Sequence, residues 1–488
     1  MPERPEPVRD LDWSPDRARQ LGEDALDLWT ELLARLPEQP VTRDFKAEQL
    51  QEDLALAVPD EPLERGALLR HLRTLALEGS MYPGHPGFLA YISGAGTVPG
   101  AVADLLAAAM NQNGGGFRLS PGATTIEEHL MRWLAGRFGL PDSAGGHVVA
   151  GGAVANLVAL KVARDGVREE AREEGLRDGP PLAFYASSES HVVQQRAADL
   201  LGLGSGAVRL IAVDDRWRMR PDALAEAIER DLADGVVPAA VIATAGTTAT
   251  GAIDPLPEIA ELCERHRTHL HVDACYGGPV ALADELRPLL DGIERADSIA
   301  VDAHKWLYTP LLGGCVLVRD MRQLPASFAT EATYIWLHED LRQGVDLAMH
   351  GPDFSRGFEA LKIWLSLLAH GRAAYARRIA HDIELARYLG VLVQEQPDFE
   401  LMTPPSLSIC CFRYAPASLR GDDEALDHLN ERILTALMAD GRVYCSNAVL
   451  GGRFCLRACI VNFRTEAEQL ELLLDVAAEH GARLARTG

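Results

Sequence analysis

An aspartate closes one short apolar run and a lysine follows another. The first run is Leu270-His271-Val272-Asp273; the second, Ser298 to Val301, leads into Asp302-Ala303-His304-Lys305-Trp306. Both runs have strand character, so acid and amine stand at or just past strand ends. A lysine so placed can form a Schiff base with an aldehyde. A carboxylate can keep a pyridine nitrogen protonated, so that the ring accepts electrons. Pyridoxal phosphate chemistry needs both. Read singly, each residue has a plainer reading. Lys305 could be a solvated loop lysine, and Asp273 could be satisfied by an arginine or a helix N-terminus. Burial is expected to lower the Lys305 pKa and make it a better nucleophile.

Three more features fall just beyond strand-like runs. Gly151-Gly152-Ala153-Val154-Ala155-Asn156 follows one run and opens a helix. Backbone N–H groups there can hold a phosphate; the alternative is a plain tight turn. His191, after Ser187-Ser188-Glu189-Ser190, could stack on a flat ring or move protons near neutral pH, or be structural. Thr247-Thr248 could bond a cofactor or cap a helix. The ordered set carries the pyridoxal phosphate reading; no single residue does.

The elements that must position them follow from pattern. β-rich runs at His147–Ala150, Leu182–Ala186, Val208–Val213, Ala240–Ala245, Leu270–Asp273, Ser298–Asp302 and Gly314–Val318 alternate with helical stretches. Such alternation predicts an α/β fold with a mainly parallel seven-stranded sheet, binding its ligand beyond the strands' carboxyl ends. Ahead of it, Ser14-Pro15 starts a helix and Pro62 to Gly79 is a second amphipathic run. These helices need a surface to cover, on the main domain or on another subunit. Behind it, one long helix is expected over Glu359 to Tyr388. Strands are expected at Leu407–Tyr414, Arg442–Cys445 and Phe454–Val461. The expected organisation is a helical N-terminal segment (1–97), a large cofactor-binding domain (98–365) and a small C-terminal α+β domain (366–488).

Composition narrows the partners. The 488 residues carry 71 acidic against 47 basic side chains, a formal net charge of −24. That disfavours nonspecific binding to nucleic acid or to an anionic membrane. No apolar run is long enough to span a bilayer, and the polar, proline-rich start has no apolar signal core. Eight cysteines lie scattered without a CxxC pair. A reducing cytoplasm is expected, with no disulfide framework and no metal site.

From about Asp10 to the C-terminus the chain resembles the group II pyridoxal-phosphate-dependent amino-acid decarboxylases. The strongest motifs are HVDACYGG (271–278) and DAHKWL (302–307). GHPGFLAYIS (84–93), GGAVANLVAL (151–160), TAGTTATGAIDPL (244–256), SRGFEALKIW (355–364) and FCLRACIVNFRT (454–465) support them. The resemblance implies fold type I, an amino-acid substrate and a homodimer with shared active sites. It also implies roles. Lys305 carries the Schiff base, Asp273 pairs with the pyridinium, and His191 stacks over the ring. Gly151, Gly152 and Ala153 line the phosphate turn; His304 and Thr248 sit beside the cofactor. Tyr91 falls on the substrate side, and Arg356 matches the family's arginine before the long helix.

The chain departs from the family pattern at several points. Ala153 and Val154 stand where a hydroxyl residue and an acid are usual, and Cys275 where a small alanine lies beneath the ring. The loop Gln343 to His350 lacks the tyrosine expected to protonate the carbanion; His350 is the candidate substitute. Glycines at 114–116, with Asn113 and Arg118, predict a larger or more polar substrate than dopa, with an anionic group for Arg118. An alternative for Arg118 is a structural ion pair. The expected activity is L-amino-acid decarboxylation. The alternatives are oxidative formation of an aldehyde on the same scaffold, or another fold type I reaction.

Overall fold

The computed structural model describes residues 5, 7–43, 45–54, 57–330 and 344–486. Among the described residues twelve strands, β1 to β12 in chain order, form two sheets. β1 is Phe88–Leu89, β2 Gly145–Val149, β3 Leu182–Ser187, β4 Val208–Ile211, β5 Val237–Thr244 and β6 His269–Asp273. β7 is Ser298–Asp302, β8 Gly314–Val318, β9 Phe399–Leu401, β10 Ile409–Tyr414, β11 Tyr444–Leu450 and β12 Arg453–Cys459.

The large sheet has seven strands in the order β2-β8-β7-β6-β5-β3-β4. β7, β6, β5, β3 and β4 pair in parallel, while β8 runs antiparallel to both β7 and β2. All seven expected runs are strands of this sheet. The reversal of β8 follows from its short connection to β7, too short for a crossover helix. The central strands are buried almost throughout, β5 and β7 as largely apolar runs and β6 with His269, His271 and Asp273 on one face. Helix Gly152–Val167 packs across β5 to β8 and starts at the carboxyl ends of β5, β6 and β7, beside the first residue of β8.

The small sheet has the order β1-β11-β12-β10-β9. Its first strand comes from the N-terminal part: Phe88 and Leu89 pair in parallel with Tyr444 and Cys445. Two residues of strand carry no periodicity, so this link had no signature in the sequence. The long helix expected over Glu359 to Tyr388 is two helices, Ala360–His370 and Arg372–Glu395. They break at Gly371, whose φ of +73° lies where glycine is favoured. Helix Pro15–Arg35 forms as expected, with Ser14 Oγ accepting from the Arg17 N–H, and buries none of its residues.

Candidate active site

Asp273 ends β6, in register with Thr244 of β5 and Ala300 of β7. One strand over, β7 ends at Asp302 and the chain turns tightly, the Lys305 N–H donating to the Asp302 carbonyl at 3.1 Å. Lys305 and Asp273 both face a cavity of about 180 Å³ beyond the strand ends. Its walls include Gly152, Ala153, His191, Thr248 and Cys275.

The lysine turn is held from below. Trp306 is fully buried and stacks on Tyr276, ring centroids 5.2 Å apart. Trp306 Nε1 and Tyr308 Oη both donate to Asp382 Oδ2, at 2.8 and 2.5 Å. Arg378 closes the group with a 2.6 Å ion pair to Asp382. Gly94 lies against the turn so closely that a Cβ there would meet the Lys305 carbonyl oxygen at 2.3 Å.

Lys305 Nζ lies 2.9 Å from Asp302 Oδ2. This corrects the expected direction of its titration. Burial does pull the ammonium pKa down, but the adjacent Asp302 carboxylate, with Asp273 behind it, outweighs burial and the net shift is upward. His191 is held the other way. Burial lowers its imidazole, and its Nδ1 accepts the Val193 N–H at 3.1 Å, which fixes a neutral tautomer with Nε2 protonated.

The glycine turn fits an anionic group. A Cβ on Gly152 would sit 2.5 Å from Asp302 Oδ2 and 2.6 Å from Cys275 Sγ, so only glycine keeps this corner open. The first N–H groups of the helix beginning there lack intrahelical acceptors. His304 stands beside the turn, its Nδ1 buried without a hydrogen-bond partner among the described residues. Burial pushes the Cys275 thiol pKa upward, so it is a neutral surface of the cavity. Glycine turn, acid and lysine together fit the phosphate, ring nitrogen and aldehyde of pyridoxal phosphate.

A second cleft, about 540 Å³, shares His191, Thr248 and Lys305 with the first and extends past Tyr91, Glu189 and Ser446 to Arg457. Arg457, on β12, is only 3 % exposed. Its Nε donates to the Ala249 carbonyl at 3.2 Å, and its Nη1 to Ser446 Oγ at 3.0 Å. Its Nη2 is buried and unpartnered among the described residues. The motif FCLRACIVNFRT contains Arg457, but local pattern gave no reason to bring a residue of the small sheet to Lys305.

The remaining candidates form a separate group. Asn113 Oδ1 accepts from the backbone of Gly115 and Arg356, at 2.9 and 3.1 Å. Arg356 is buried in an ion pair with Glu127, and its Nη2 also donates to the Val148 carbonyl at 2.9 Å. His350 is buried near Arg356 and His147. Arg118 is exposed and has no partner among the described residues. Within one chain none of these four lines the cavity or the cleft. Of the loop that lacks a tyrosine, Gln343 lies outside the described residues; Leu347 is buried and starts a short 3₁₀ turn.

The model of the pyridoxal-dependent decarboxylase conserved domain matches residues 47–415. The aromatic-L-amino-acid decarboxylase of Bacillus atrophaeus is 34% identical, with 96% of each chain covered. The cysteine sulfinic acid decarboxylase of Mus musculus is 33% identical, with 86% of each covered. A crystal structure of Oryza sativa TDC with PLP and tryptamine superposes with a TM-score of 0.92 at 29% identity, covering 97% of this chain and 99% of that one. Motif, geometry and relatives agree: the chain belongs to the pyridoxal-phosphate-dependent amino-acid decarboxylase family.

Proposed function

We propose that this enzyme removes the α-carboxylate of an L-amino acid with a polar or extended side chain, releasing carbon dioxide and the amine. The observation that carries the reading is the shared cavity of Lys305 and Asp273, with the Gly152 corner at its end. Bound pyridoxal phosphate supplies a sink for the electron pair left on Cα. Lys305 would be its covalent anchor, and Asp273 would pair with the ring nitrogen. His191 would stack on the ring. Thr248 and His304 would sit beside the cofactor, and Gly151, Gly152 and Ala153 would hold the phosphate. Cys275 supplies a neutral, closely packed floor.

Arg457 lends its positive charge to the wall of the cleft, where a substrate carboxylate would be favoured, and Tyr91 lines the same cleft. Helix Pro15–Arg35 has no fully buried residue within its own chain, and helix Val98–Met110 exposes Leu105, Leu106 and Met110. Both faces fit a homodimer. In that assembly Asn113 and Arg118 would serve the partner's cleft, with Arg118 meeting an anionic side chain. Eight free, buried thiols fit a reducing compartment, and the cytoplasm is the proposed location.

The oxidative outcome is the second reading, favoured by the loop that carries Leu347 and His350 but no tyrosine. One assay separates them. The loaded enzyme is incubated with aromatic, acidic and sulfinic amino acids, with and without oxygen, and carbon dioxide, amine, ammonia and peroxide are measured together. Carbon dioxide with equal amine supports decarboxylation; carbon dioxide with ammonia and peroxide supports the rival. No carbon dioxide from any substrate overturns both.

A further inference from the structure

One face of β6 carries His269, His271 and Asp273 at every second position, and their polar atoms are linked by residues from neighbouring elements. His269 Nε2 lies 2.7 Å from Ser298 Oγ, which lies 2.9 Å from His271 Nδ1. His271 Nε2 lies 2.9 Å from Asn156 Oδ1. The same Asn156 oxygen accepts from Gln194 Nε2 at 2.9 Å, and Gln194 Nε2 also donates to Asp273 Oδ2 at 2.8 Å. The other carboxylate oxygen, Oδ1, takes the Cys275 N–H at 3.2 Å.

Every direction in this chain is determined. Asn156 spends its amide N–H on the Gly152 carbonyl at 2.8 Å, so its oxygen faces Gln194 and His271. A carboxamide oxygen only accepts, so His271 carries its hydrogen on Nε2 and accepts from Ser298 on Nδ1. Burial holds the His271 imidazole at about 3, which keeps it neutral, and Asn156 Oδ1 selects the tautomer. Because Asn156 Oδ1 collects two donors, no proton passes along the chain. It orients groups; it does not conduct. Gln194 Oε1 is buried with no partner among the described residues, a cost that a residue kept only for packing would avoid.

We propose that Gln194, oriented by Asn156 and His271, is a positioning residue that fixes the Asp273 carboxylate in one rotamer and keeps it an acceptor toward the cofactor ring. This rests on the reading of Asp273 as the partner of the ring nitrogen. A donor on a carboxylate oxygen favours the charged form. Without it, the proton shared between ring and acid moves toward the acid, and the ring draws electrons less well.

The test is nitrogen NMR of the holoenzyme loaded with ring-¹⁵N pyridoxal phosphate. Wild type should show the protonated-ring shift. Gln194→Met, nearly isosteric, should move the signal toward the unprotonated value and lower kcat by roughly tenfold with KM little changed. Asp273→Asn is the control. If it leaves the signal at the protonated value, the reading of Asp273 itself fails. If it moves the signal while Gln194→Met matches wild type, the role of Gln194 alone is overturned. Should Gln194→Met not fold, Asn156→Ala, which frees the Gln194 amide to rotate, decides in the same way. A shift in the same direction supports the proposal, and a wild-type signal overturns it.

Discussion

Lys305 Nζ and Asp302 Oδ2 sit 2.9 Å apart, so the amine that must become a nucleophile is met by its own counter-ion. Asp302 is 2 % exposed and also abuts the glycine corner proposed to hold the phosphate. Its charge therefore acts twice against loading. It holds Lys305 protonated, and it repels a phosphate dianion. Asp302→Asn keeps the shape and removes the charge. Loading by pyridoxal phosphate at neutral pH should become faster by roughly tenfold, and its pH dependence should shift to lower pH, as one unit of relief on the amine implies. The growth of bound-cofactor absorbance between about pH 6 and 9 measures it. Equal or slower loading would show that the pair serves another purpose.

Arg356 belongs to a buried ion pair with Glu127, whose Oε1 also takes the Val148 N–H at 2.8 Å. Removing one partner strands a charge inside the protein. Arg356→Met should lose about 3–5 kcal/mol of stability, with a smaller loss for the double change with Glu127→Leu. Urea unfolding checks both. A substrate-binding role for Arg356 makes the opposite forecast, a raised KM at unchanged stability.

The sheet was largely legible because its strands are short, mostly apolar runs set between helical stretches. Asp273, Lys305 and Gly152 were legible for the same reason: their places at strand ends can be read along the chain. Asp302 stood inside the motif, but nothing local says that its carboxylate turns onto Lys305. Gln194 and Arg457 were silent. Gln194 reaches Asp273 only because helix Val193–Leu200 packs on helix Gly152–Val167, and Arg457 reaches the cleft only because the small sheet meets the large one there. Contacts between distant elements leave no periodicity. The break at Gly371 escaped because the helical pattern continues on both sides of one glycine.

The dimer reading has a direct check. Leu105 is 68 % exposed on helix Val98–Met110 and lies away from the cavity of its own chain. An aspartate there leaves the folded chain intact but opposes burial against a second copy. Leu105→Asp should sediment as a monomer with unchanged circular dichroism, and its turnover should fall by about tenfold or more, since each burial of a leucine is worth roughly 2 kcal/mol and a dimer loses two. A dimer of wild-type activity would remove this helix from the interface.

His350 ties the stability of the fold to pH. Burial, with the Arg356 cation beside it, pushes its imidazole down to about 4, from an ordinary value of 6.5. A histidine depressed on folding contributes stability that is complete above 6.5 and is lost as pH falls through about 4. The wild type should therefore weaken between those limits by up to ~3 kcal/mol, and His350→Phe should flatten that part of the profile. Were His350 to return the proton to Cα, the same shift would set the form in which it does so. At neutral pH His350 holds one N–H and no positive charge, so any donation from it comes from the neutral ring. The ratio of amine to aldehyde should then stay level from about pH 6 to 8, where an imidazolium donor would make amine rise steeply toward acid. If His350→Phe leaves that ratio unchanged in air, the proton comes from another group, with water entering the cleft at Tyr91 the next to test.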